Sequence, residues 1–176
     1  MRNKSAFSTI EVLVSTVIVT LIFASTIGAF MLVKGVFRDK EAEINLQQNV
    51  NTIAARIIRG HPEQGSIVGL RSAVSFTIPV VTPAGSRIQY TGTDDNVRSY
   101  FLNGNSIIYA SPTQSPNQQT IYTAPPGSSV TLRFWEPAGV TDNETVGIYI
   151  AVSRQIGNRT ISGSLSTYIN LRNVPK

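Results

Sequence analysis

Phe7-Ser8-Thr9-Ile10-Glu11-Val12-Leu13-Val14 opens the stretch that decides the fold. Between Phe7 and Val33 the one charged side chain is Glu11, and residues 12–33 follow with no charge at all. As a helix those 22 residues cover roughly 33 Å at about 1.5 Å per residue, enough to cross the hydrocarbon core of a bilayer. Arg2, Lys4 and the initiator amine precede the run, so the positive-inside rule keeps the leader cytoplasmic and sends the rest of the chain outward. A charge inside hydrocarbon costs about 2.5 to 3.5 kcal/mol even on lenient insertion scales, so Glu11 calls for a cationic partner within the membrane.

Two simpler readings compete. A secretory signal also begins with a basic segment and an apolar one, and Thr26-Ile27-Gly28 before Ala29 offers a small-residue cleavage site. The run is longer than the roughly 7 to 15 apolar residues of such signals, and an acidic residue at its entrance does not belong there. A permanent signal anchor fits the length but leaves Glu11 without a partner.

Ser5-Ala6-Phe7-Ser8-Thr9-Ile10-Glu11-Val12-Leu13-Val14 resembles the prepilin signature of type IV pilins and type II secretion pseudopilins. The family pattern is a short basic leader, a small residue, Phe, and Glu four residues after the Phe, ahead of an uninterrupted apolar helix. The resemblance implies cleavage between Ala6 and Phe7 by a prepilin peptidase at the cytoplasmic face, with N-methylation of the new Phe7 amine. It also implies the missing cation, because Glu11 would pair with the Phe7 amine of a neighbouring subunit. Three residues depart from the commoner pattern. Ala6 stands in place of Gly, Thr9 in place of an apolar residue, and Gly28 where many major pilins carry a helix-breaking proline.

Past Val33 the spacing predicts that the helix continues, since Leu46, Val50, Ile53 and Ile57 form one apolar stripe in a charged and amide-rich segment. Arg56 and Arg59 suit the negative end of the helix dipole, and Gly60 followed by His61-Pro62 signals a stop. One helix over residues 7–59 would be about 80 Å long. The stripe on its outer half needs a surface to pack on.

The remainder turns to Gly, Pro, Ser, Thr and Asn with short alternating runs, the pattern of a β-rich head. Val130, Leu132 and Phe134 alternate with polar residues; Val146, Ile148, Ile150 and Val152 share one face, as do Leu165, Thr167, Ile169 and Leu171. Asn103-Gly104-Asn105 predicts a hairpin turn between Tyr100/Leu102 and Ile107/Tyr109. No helices stand between these runs to carry parallel crossovers, so antiparallel pairing is expected. The fold class is therefore α+β: a long N-terminal helix, membrane-spanning in its first half and amphipathic in its second, packed on a C-terminal antiparallel head, as in pilins. The divisions read are a removable leader at 1–6, a membrane or filament-core helix at 7–33, its amphipathic continuation at 34–60, and the head at 61–176. Ile88-Gln-Tyr90, Val97-Arg-Ser-Tyr-Phe-Leu102 and Ile169-Asn-Leu-Arg-Asn173 are similar to segments of the W and J types of minor pilins and pseudopilins.

Composition narrows the function classes. One histidine and no cysteine preclude a Cys/His metal set and any disulfide, and His61, beside a proline at a helix end, reads as a surface residue rather than a base. Asp94-Asp95-Asn96 and Asp142-Asn143-Glu144 cluster oxygens that suit turns and lack EF-hand spacing. Neither an enzyme nor a cofactor is expected. Loss of Arg2 and Lys4 with the leader lowers the net charge from +5 to +3, and the arginines of the head are dispersed, so nucleic acid is not the expected partner. The aromatics Tyr90, Tyr100, Tyr122 and Trp135 keep that alternative open, since rings of this kind can stack on bases. The expected partners are the prepilin peptidase and methyltransferase, sister subunits and the inner membrane, with the head outside the cytoplasm in a surface pilus or a periplasmic pseudopilus. The expected function is that of a minor pilin-like structural subunit. The alternatives are a secretion pseudopilin and a signal-anchored surface or periplasmic binding domain, for DNA among other ligands.

Overall fold

The computed structural model describes residues 8–60, 69–78, 87–111, 118–138 and 144–172. The chain divides into two compact units at Glu41/Ala42. The first is the N-terminal part of one continuous helix, α1 (Thr9–Arg59), and the second holds the helix's last turns and all the strands.

α1 stops where glycine allows it to. Gly60 takes a φ of +91°, and its N–H donates to the Arg56 carbonyl at 3.0 Å. This is the left-handed ending in which a glycine satisfies one of the last turn's free carbonyls. Arg56 and Arg59 lie in that last turn, where positive charge complements the helix dipole.

In the second unit α1 buries Leu46, Val50, Ile53 and Ile57, the stripe set by their spacing, and with them Ala54. They join one core with the inward side chains of both sheets. The head is not one sheet but two. Strands β1 (Ser75–Thr77), β2 (Arg87–Thr91), β3 (Val97–Asn103), β4 (Ser106–Ala110) and β5 (Gln118–Thr123) form a five-stranded antiparallel meander in chain order. Strands β6 (Ser128–Trp135), β7 (Thr145–Ile156) and β8 (Arg159–Asn170) form a three-stranded antiparallel sheet. The turn between β3 and β4 is the one the sequence predicts, with Gly104 at φ +57° and Tyr100 opposite Tyr109. Glycine at the first position of a two-residue loop gives the chain reversal that matches strand twist.

The helix is fixed to the sheets by polar contacts at the margins of the core. Arg56 donates to the Ile121 carbonyl at 2.9 Å, and the Tyr100 hydroxyl donates to the Arg56 carbonyl at 3.4 Å. On the other sheet the Gln47 amide donates to the Ser164 carbonyl at 3.2 Å and accepts from the Ser164 N–H at 3.3 Å. Gly163 brings this strand so close that a Cβ there would lie 2.8 Å from the Gln47 nitrogen.

Three tyrosines fill the five-stranded side of the core. Tyr90 stacks on Tyr100 with centroids 5.6 Å apart, and Tyr100 meets Tyr109 at 5.1 Å. Burial raises the pKa of both the Tyr90 and the Tyr100 hydroxyls, so they stay neutral. Beside them Arg98, only 4% exposed, forms a two-pronged pair with Asp94, Nη1 to Oδ1 at 2.7 Å and Nη2 to Oδ2 at 2.6 Å. The hydrogen bonds from Arg98 and then from Asn96 hold the Asp94 carboxyl well below the usual carboxylate range. A carboxyl whose folded pKa lies below its unfolded one stabilises the fold at neutral pH, and that contribution fades as the pH drops below about 3.9 towards the folded value. Asp94→Asn is therefore expected to melt at a lower temperature than wild type at pH 7, with the gap closing in melts recorded by circular dichroism as the pH falls below about 3.9. A gap of constant size at every pH would place the effect elsewhere than in the carboxylate.

Candidate functional site

The start of α1 is built from local sequence. Ser8 precedes the first helical residue and its carbonyl accepts the Val12 N–H at 3.2 Å. Three residues on, the Glu11 carboxylate turns back and accepts the Ser8 N–H at 2.9 Å. Serine before the helix and glutamate three residues later are the pattern of a capping box, in which the acidic side chain satisfies a backbone donor that the helix leaves free. Negative charge in the first turn also suits the positive end of the helix dipole. The spacing was visible in Ser8-Thr9-Ile10-Glu11, but reading Glu11 only as an intramembrane charge passes over it. Glu11 thus has a donor in its own chain, and that donor is neutral rather than cationic. Ala6 and Phe7, the residues of the expected cleavage, lie outside the described residues.

Between Glu11 and Lys34 the helix surface is apolar and uncovered. Leu13, Phe23 and Phe30 are each about two-thirds exposed. This is the one helix among the described residues that is long and apolar enough to cross a membrane. Its hydroxyl groups do not spoil that surface. Thr16 donates to the Val12 carbonyl, Thr20 to Thr16, Ser25 to Leu21 and Thr26 to Ile22, at 2.7 to 2.8 Å. Each of these four hydroxyls is satisfied four residues back within the helix, so it adds no unpaired polar group in lipid. Chemically the segment offers a long apolar surface for lipid or for a similar helix, with one carboxylate at its N-terminal end.

The other residues singled out by sequence have structural places. Asp94 serves Arg98 and Asn96, and Asp95 holds the loop at φ +57°, so this group of oxygens forms a turn. Tyr90 and Tyr100 are buried in the core and face no solvent. Arg87 lies over the Phe101 ring at 5.4 Å, whereas Arg133, Arg154 and Arg159 belong to the other sheet. His61, Asp142 and Asn143 lie outside the described residues. No family model, no curated protein and no solved structure matches the chain.

Proposed function

We propose that the chain is a structural subunit of a pilus-like filament, stored in the inner membrane through the first part of α1 and assembled through that same helix. The observation that carries this reading is Glu11, the one charge between Phe7 and Val33. A tether has no use for this carboxylate beyond the helix cap at Ser8. A filament of staggered helices does, because a charge pair that forms in only one axial position fixes the register of neighbours. The cation is supplied by processing: cleavage between Ala6 and Phe7 creates an amine four residues from Glu11, and in the filament Glu11 takes the Phe7 amine of the next subunit. The absence of cysteine and the W- and J-like segments favour a minor subunit over the bulk one. A secretion pseudopilus would use the same helix in the same way.

The test is the N-terminus of the protein recovered from membranes, read by mass spectrometry. The expected chain begins at a methylated Phe7. A chain beginning at Met1 or at Ala29 would overturn the filament reading in favour of an anchor or a secretory signal.

A further inference from the structure

The three-stranded sheet has two faces of opposite composition. Inward, Leu132, Phe134, Ile148 and Ile150 are buried in the core. Outward, strand register puts Trp135, Gly147 and Tyr168 on one rung and Arg133, Tyr149 and Ser166 on the next. The remaining outward positions are serines, threonines, one asparagine, one glutamine and Ala151. None of the outward strand positions carries an acidic residue, a lysine or a branched aliphatic side chain.

Gly147 makes the aromatic rung. A Cβ at Gly147 would come within 2.6 Å of Trp135 Cδ2 and closer still to Cε2, so the indole lies across the glycine backbone. Tyr168 meets the indole edge to face, with centroids 5.8 Å apart and planes at 78°, and is 61% exposed. Core packing does not account for two large rings held on the solvent side of a sheet. Arg133 is exposed beside them and forms no ion pair or hydrogen bond with another described residue.

We infer that this face binds a saccharide that carries a carboxylate. Trp135, Tyr168 and Tyr149 offer flat apolar surface for the C–H faces of pyranose rings while keeping polar tips for hydrogen bonding. The surrounding hydroxyls exchange hydrogen bonds with sugar hydroxyls, and the Arg133 guanidinium takes the carboxylate in a two-pronged pair. The rung spans two strand spacings, about 10 Å, which suits a short run of sugar rings. Charge and composition set this occupant above the others. A single-stranded nucleic acid brings a charge with every residue and is held by grooves of several Lys and Arg, whereas this face has Arg133 alone. A protein interface also enriches Tyr, Trp and Arg, but it is depleted in serine, which with threonine fills most of the rest of this face.

Trp135 is the chain's one tryptophan, so its emission reports directly on the site. The full chain in detergent micelles is titrated with polygalacturonate, with dextran as the uncharged polymer and oligothymidylate as the nucleic acid. The expected result is a saturable change in emission with polygalacturonate. Arg133→Gln is expected to weaken that binding about tenfold, the loss of one charge-assisted contact, and to leave any dextran response unchanged. Tyr168→Ala is expected to weaken it by a similar factor while the chain still melts cooperatively, with a midpoint lowered by about a few degrees for the lost ring pair. No saturable response to polygalacturonate, a wild-type midpoint in the Arg133→Gln chain, or tighter binding of oligothymidylate each overturns the proposal.

Discussion

Glu11→Val is expected to leave the chain processed at Phe7 and inserted in the membrane, but to lower its recovery in sheared filaments about a hundredfold. The magnitude follows from the proposed pair. Removing one partner of a buried ion pair leaves the other charge unmatched and costs about 3 to 5 kcal/mol, and about 2.8 kcal/mol already amounts to a hundredfold. The capping contact at Ser8 gives Glu11 a second role that the valine also removes, and loss of a helix cap costs about 1 kcal/mol. Glu11→Gln separates the two. Glutamine serves in a capping box as glutamate does but carries no charge. If charge pairing drives assembly, Glu11→Gln fails as Glu11→Val does; recovery of the glutamine chain in filaments at wild-type level would reduce Glu11 to a cap. Filament and membrane fractions from the same cells, quantified by immunoblot, provide the readout.

Ile57→Ala is expected to destabilise the second unit by about 2 to 5 kcal/mol, the range for emptying a fully buried aliphatic site. Ile57 is completely buried and joins the core that holds both sheets, so the cavity cannot be relieved by movement into solvent. Its neighbours on the helix, Arg56 and Tyr100's contact to the Arg56 carbonyl, tie the same turn to the five-stranded sheet. The change should therefore appear as a lower midpoint in urea with the slope of the transition unchanged, since the surface exposed on unfolding is the same. Ile44→Ala is the paired control, because Ile44 lies on the same helix and is 56% exposed. Alanine has the higher helix propensity, so a loss at Ile44 as large as that at Ile57 would overturn the assignment of the effect to burial.

What could be read from the sequence was what is periodic or local. Leu46, Val50, Ile53 and Ile57 recur at helical spacing and are the residues that pack, and Val130, Leu132 and Phe134 alternate at strand spacing and point inward. The hairpin at Gly104 was legible for the same reason, since a two-residue turn is fixed by its own residues. The division into two sheets was not. Nothing in Ala124-Pro125-Pro126-Gly127 distinguishes a turn within a sheet from a passage between sheets, and which strands pair depends on contacts far apart in sequence. Gly147 and Gly163 were equally silent. Their significance lies in a tryptophan on the neighbouring strand and a helix more than a hundred residues away. At the helix start the information was present, because Ser8 and Glu11 stand at capping distance, but the charge drew the reading towards a distant partner and away from the near one.

Gln47 holds Ser164 by both its backbone groups, as the next strand of a sheet would, and it does so on β8, the twelve-residue strand at the outer side of its sheet. An open strand of that length is a template for unwanted pairing between chains. The helix thus closes this edge at Ser164. A head cut ahead of Ala42 keeps that contact, whereas one cut after Gln47 leaves the Ser164 backbone groups open to a second copy of the chain. The boundary at which the apolar segment can be removed is set by an amide side chain, not by the end of the apolar run.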